Sequence, residues 1–195
     1  NSWYMVASTL PKDNGVLLRN VGWDNTGERV PEDQSKRSLS ELSAPKIKHY
    51  SAGKLFLCTG PYEFDHTTYE GHYNEGITFT SRPSALKFSY TYSPTNGDKG
   101  FVKIEVLDED NNVIGQGNKT FEEQASISIA SVPIKYTNTQ KKAAKLKIMF
   151  ASSASCSYNQ KEEDSWIKSF TIDRNAEAIR TGSEFFIANV SLFYD

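Results

Sequence analysis

Cysteine and methionine are scarce, two of each in 195 residues. Cys58 and Cys156 cannot build a disulfide-dense scaffold or a four-cysteine zinc site. They leave open one bridge or two separate thiols, and Cys58, in the apolar run Leu55-Phe56-Leu57-Cys58, reads as buried. An excess of one charge is also missing. The 22 Lys+Arg and 24 Asp+Glu sum to a net charge of -2, which gives no electrostatic footprint for nucleic acid or an anionic membrane. Long hydrophobic runs are absent too, none nearing the roughly 18 residues of a transmembrane helix. With a mean hydropathy of -0.56, the reading is no membrane insertion by this chain. The chain starts at Asn1 rather than Met and carries no signal-like apolar stretch, so the expectation is a mature or excised segment.

What is present is globular. The chain is 37% hydrophobic and 12% aromatic, enough at this length for one substantial core, and neither disordered nor collagen-like. The dominant pattern has period two. Leu86, Phe88, Tyr90 and Tyr92 alternate with Lys87, Ser89 and Thr91; Val102, Ile104 and Val106 with Lys103 and Glu105; Leu146, Ile148 and Phe150 with Lys147 and Met149. Ile127 and Ile129 alternate with serines, and Ile134 and Tyr136 flank Lys135. In the last run both faces are apolar, which predicts a central strand covered on each side, with Val190 in the core. Turn residues at 94–98 and 110–112 separate the runs. Many short strands with scarcely a helix between them predict an all-β fold, an antiparallel β-sandwich or jelly roll. Three stretches break the rhythm: a polar loop at 28–43, an aromatic loop at 61–75, and a short helical insertion near the C-terminus at 160–167 and 173–180. No linker divides the chain, so residues 1–195 read as a single domain.

Motifs for chemistry fail on inspection. Gly115-Gln116-Gly117-Asn118-Lys119-Thr120 lacks the earlier glycine of a phosphate loop. Asp108-Glu109-Asp110-Asn111-Asn112 has Val113 and Lys119 where a calcium loop needs Gly and Glu, so it reads as a hairpin turn. Cys58, Asp65, His66 and His72 are spaced too widely for zinc. No G-x-S-x-G elbow occurs, and with 24 acids some carboxylate pair is always found. The enzyme question stays open, leaning to no.

The aromatics say more. Trp3, Tyr4, Trp23, Tyr62, Tyr69, Tyr73 and Trp166 lie outside the clear alternation. Rings beside Asp, Asn and Arg suit a sugar, whose CH faces stack while its hydroxyls need planar hydrogen-bonding groups. Trp23-Asp24-Asn25 is the most concentrated example, with Arg82 and Tyr92 as further candidate ligand-binding residues. Arg82, held extended by Pro83, is expected either to pair with Asp98 or another carboxylate, or to reach a pocket.

A longer pattern joins these pieces. Ala52-Gly53-Lys54-Leu55-Phe56 precedes Gly76-Ile77-Thr78-Phe79-Thr80-Ser81-Arg82-Pro83-Ser84-Ala85-Leu86, then Phe88-Ser89-Tyr90-Thr91-Tyr92-Ser93-Pro94, Gly97-Asp98, Gly182-Ser183-Glu184 and Asn189-Val190-Ser191-Leu192-Phe193-Tyr194. This order resembles the "putative carbohydrate metabolism domain" (PCMD) family of cell-surface proteins and lipoproteins from Gram-negative anaerobes. The resemblance implies a galactose-binding-like jelly roll, an outer-membrane or periplasmic location, and the C-terminal part of a longer exported protein with an N-terminal partner domain. It implies a non-catalytic carbohydrate-binding module with a glycan as partner; a structural or adhesion spacer is the alternative, and a glycoside hydrolase a third. No catalytic residue carries over. The stretch at 157–180 is longer and more charged than the family's usual loop. Where related jelly rolls hold a structural calcium with acids, this chain has Asn1 and Asn189, so at most a weak calcium site is expected, and no other cofactor.

Overall fold

The computed structural model describes residues 7–23, 49–65, 70–95, 97–154, 171–172 and 179–195, and the regular structure there is entirely β. Strands are numbered in chain order. The first seven are β1 (Thr9–Lys12), β2 (Gly15–Trp23), β3 (His49–Ser51), β4 (Lys54–Phe56), β5 (Cys58–Asp65), β6 (Glu70–Glu75) and β7 (Ile77–Thr78). Next come β8 (Ala85–Ser93), β9 (Gly100–Leu107), β10 (Val113–Phe121) and β11 (Gln124–Pro133). The last are β12 (Lys135–Tyr136), β13 (Lys145–Ala151), β14 (Thr171–Ile172) and β15 (Ile179–Phe193).

A seven-stranded sheet runs β1-β2-β15-β8-β11, with β3 also on β2 and β14 also on β15. A six-stranded sheet runs β12-β10-β9-β13-β4, with β7 also on β13, and β5 and β6 form a separate hairpin. Every pairing is antiparallel. The two sheets enclose one shared core, as an antiparallel β-sandwich does.

Alternation put the right side chains inside. Leu86 and Phe88 from one sheet meet Val102, Ile104, Val106, Leu146, Ile148 and Phe150 from the other, with Tyr90 packed against them. Phe88 is the hub, its ring edge-on to Phe150 at 5.1 Å and to Phe121 at 5.5 Å. Such pairs add about 0.5–1.5 kcal/mol beyond the area they bury.

Several expectations need correction. Val190 is not in the core but 47% exposed. Between Ala188 and Ser191 the register of β15 against β8 slips by one residue, at Asn189, which has φ +52°. That bulge reverses the facing: Phe185 and Ile187 point in before it, and Leu192 after it. β15 is central in its sheet, but its other face is not a second core. There Lys12 lies over the Phe186 ring and Lys87 over Phe193, at 5.8 and 3.4 Å. Ile127 and Ile129 face outward, while Ala130 and Val132 fill the inward positions of β11.

Within the stretch 61–75, expected to be a loop, residues 61–65 and 70–75 are strand, in the β5–β6 hairpin, with Gly60 and Gly76 at positive φ near its base. Cys58 is exposed rather than buried, because the chain leaves the core after Leu57 to start that hairpin. Ile179 and Arg180, expected at the end of a helix, open β15. The stretches at 28–43, 160–167 and 173–178, and Cys156, lie outside the described residues.

The turn at 108–112 joins β9 to β10 as expected. Asp108 Oδ1 accepts the backbone N–H groups of Asp110 and Asn112 at 3.0 and 2.8 Å. The Gly115–Gly117 pair lies inside strand β10. A Cβ on Gly115 would sit 2.5 Å from the Tyr136 ring, and one on Gly117 2.2 Å from the Pro133 carbonyl oxygen. These glycines make room for neighbours rather than for a phosphate.

Candidate functional site

The inward alternation of β9 and β13 dictates what stands on the outer face of the six-stranded sheet. With Ile104 and Ile148 inside, Lys103, Glu105, Lys147 and Met149 point out. Register sets Glu105 opposite Lys147, Lys103 opposite Met149, and Met149 opposite Phe56 of β4. Glu75 arrives from the end of β6, where Gly76 (φ +87°) turns the hairpin back and donates its N–H to the Leu57 carbonyl at 2.6 Å. Together these groups line a shallow depression of about 130 Å³, with Leu57 and Ile148 at its base. That is well under the roughly 300–1,000 Å³ of a pocket that engulfs a small molecule. It is a groove.

Its charges come in pairs. Lys103 Nζ lies 2.7 Å from Glu105 Oε1, and Lys147 Nζ lies 3.4 Å from Glu75 Oε2. Glu105, Glu75 and Lys147 are half-buried, at 18%, 27% and 31% side-chain exposure. Phe56 and Met149 supply an apolar strip beside them. An apolar strip flanked by fixed donors and acceptors can hold a ligand that is apolar on one face and hydroxylated at its rim.

A second polar assembly lies inside one end of the sandwich. Asp98 Oδ2 accepts from Asn20 Nδ2 at 2.9 Å and from Ser183 Oγ at 2.8 Å; its Oδ1 accepts from Ser153 Oγ and the Lys99 N–H, both at 2.8 Å. Ser152 Oγ donates to Asn20 Oδ1 at 2.7 Å and accepts the Gly53 N–H at 2.8 Å. Asn20, Ser152, Ser153 and Ser183 are buried. A one-residue slip of β15 against β2 between Thr181 and Glu184 accompanies the inward turn of Ser183. Every polar group here has a partner within the chain, so the assembly is a clamp between sheets.

The residues singled out from sequence fall in different places. Trp23 ends β2, paired with His49 and Ile179; Asp24 and Asn25 lie outside the described residues. Tyr92 is 1% exposed, its hydroxyl donating to the Ser152 carbonyl at 3.0 Å. Burial, then the nearby Asp98 charge, push its pKa far above the usual tyrosine value. Arg82 pairs with neither Asp98 nor another carboxylate among the described residues. Its guanidinium donates to the carbonyls of Asn138 and Thr139 and stacks 4.5 Å above the Tyr136 ring. Arg82 and Tyr92 sit at opposite ends of β8, on the order of 30 Å apart along an extended strand. Trp23 lies toward the Tyr92 end.

The groove was missed because its residues were read only as the polar halves of strands. The signal available was that Lys103, Glu105 and Lys147 all take outward positions on runs with strongly apolar inner faces. Among the described residues no three His, Cys, Asp or Glu side chains gather as a metal site would need. Asn189 is exposed, its amide donating to Ser89 Oγ at 3.3 Å, and Asn1 lies outside the described residues. No helix among the described residues is long and apolar enough to cross a membrane.

No family model and no curated protein matches the chain. Among solved structures it is similar to a putative glycoside hydrolase from Bacteroides thetaiotaomicron, with a TM-score of 0.52 and 13% identity over 93% of this chain and 53% of that one. The chain therefore spans about half the length of that protein. At such identity the likeness is one of fold alone.

Proposed function

We propose that the chain is a non-catalytic carbohydrate-binding module, a jelly roll of the kind the PCMD resemblance implies. The observation that carries this reading is the outer groove, where the Phe56–Met149 strip runs beside the half-buried pairs Lys103–Glu105 and Lys147–Glu75. One face of a pyranose is apolar and its edge is a row of hydroxyls, and the groove offers a match to each. The fold likeness to a protein described as a putative glycoside hydrolase supports a glycan as the ligand class. Trp23, which ends β2 in the other sheet, is with Asp24 and Asn25 a second proposed contact. Arg82 and Tyr92, considered with them as ligand contacts, are read instead as parts of the scaffold. A place in the periplasm or on the outer-membrane surface, within a longer exported protein, belongs to the same proposal.

A glycan array on the purified chain tests it. The expected result is retention of at least one oligo- or polysaccharide, weakened by roughly 1–3 kcal/mol in Phe56→Ala, the scale of losing an aromatic anchor. Trp23→Ala asks the same of the second contact. Retention of no glycan would favour the structural spacer instead.

A second reading rests on one observation: two carboxylates, Glu75 and Glu105, face the same groove. Glycoside hydrolysis uses such a pair. Release of reducing ends by the chain, abolished in Glu75→Gln or Glu105→Gln, would replace the binding module with an enzyme.

A further inference from the structure

Sheet edges are where an antiparallel sandwich meets other chains, because their outward N–H and C=O groups lack strand partners. In the two large sheets, among the described residues, most edges are guarded. β1 is four residues long and carries Pro11 and Lys12. β4, β7 and β12 are two or three residues long, and β4 and β12 each begin with a lysine. β11 differs. It is ten residues long, Gln124-Ala125-Ser126-Ile127-Ser128-Ile129-Ala130-Ser131-Val132-Pro133, and contains no charge. It is the terminal strand of its sheet, paired on one side with β8, and regular in register from Ser128 to Pro133. Ile127 and Ile129 are 69% and 77% exposed.

We propose that β11 is a self-association edge, to which a second copy of this chain adds its own β11 antiparallel about a two-fold axis near Ala130. The occupant follows from charge. The exposed Glu123 precedes the neutral strand, beside a Glu122 already paired with Lys99 at 2.9 Å, and the exposed Lys135 follows it at the start of β12. Antiparallel pairing of two copies brings the acidic end of each toward the lysine of the other, whereas parallel pairing would set like against like. With Ala130 opposite its own copy, Ile129 of each chain faces Ser131 of the other and the two Ile129 side chains meet diagonally across the axis, while both copies' free backbone groups are satisfied.

The test is sedimentation velocity of the full chain over a concentration series at low salt. The expected result is a monomer–dimer equilibrium whose midpoint moves up on the order of tenfold or more in Ile129→Lys, which sets two ammonium groups in the seam. Glu123→Lys should weaken association several-fold, and adding Lys135→Glu to it should restore association. Because these positions are exposed, the variants should melt as the parent does. A monomer at every concentration would overturn the proposal. So would dimers indifferent to Ile129→Lys, or a double variant no better than Glu123→Lys.

Discussion

Arg82 and Asp98 hold the two ends of β8, and both are committed to the chain itself. Arg82 secures the turn at Asn138 and Thr139. Asp98 gathers four donors from both sheets and its own loop. Replacing Asp98 by Ala leaves the buried Asn20 and Ser183 donors without their acceptor. Hydrogen bonds to a charged group are worth about 1.5–3 kcal/mol each, so the variant should lose at least that much in denaturant unfolding. Asp108 works more locally. Backbone N–H bonds from Asn112 come first among the causes that hold its carboxyl below the usual aspartate range, with Asp110 and Lys141 adding to them. A depressed folded pKa means this contribution is present above the unfolded value and is lost as pH falls through the folded one. The thermal midpoint of the parent should therefore fall faster below about pH 4 than that of Asp108→Asn, which is already without the charge.

At the level of elements, the strands with strict alternation were legible and the bulged ones were not. β8, β9 and β13 could be assigned inner and outer faces from Leu86, Val102 and Leu146 onward, because one face is buried and a single slip would invert it. β15 defeated the same rule, since apolar residues occupy both of its faces and nothing in Ala188-Asn189-Val190 announces an extra residue except an Asn tolerant of positive φ. The β5–β6 hairpin was hidden by its tyrosines, histidines and glycines, which read as loop when no inward apolar row is visible. Of the candidate site, the charged alternation of β9 and β13 was in plain view, but only cross-strand register could show that it converges with Glu75. The bulge can be tested directly. Deleting Asn189 should leave a folded protein in which Val190 turns inward opposite Phe88, costing about 1–3 kcal/mol by overpacking. Deleting Ile187 instead removes a buried side chain and inverts its neighbours, and should abolish folding, as circular dichroism would show.

For the whole molecule, the aromatic hub and the clamp divide the labour of joining the sheets. The hub presses them together without direction, whereas the clamp ties Asn20 of β2 and Ser183 of β15 to Ser153 through the Asp98 carboxylate, and Asn20 directly to Ser152 beyond β13. A covering of hydrogen bonds between sheets, rather than within them, has a consequence for the time axis. The buried amides of Gly53 and Ser152 donate to Ser152 Oγ and to the Gly53 carbonyl, so neither can meet solvent unless this end of the sandwich opens. In the parent their deuterium exchange should share the protection of the deepest strands and be governed by global unfolding. In Asp98→Ala these two should exchange through a smaller opening, orders of magnitude faster than Ile104 or Phe88, and the sandwich would breathe from that end alone.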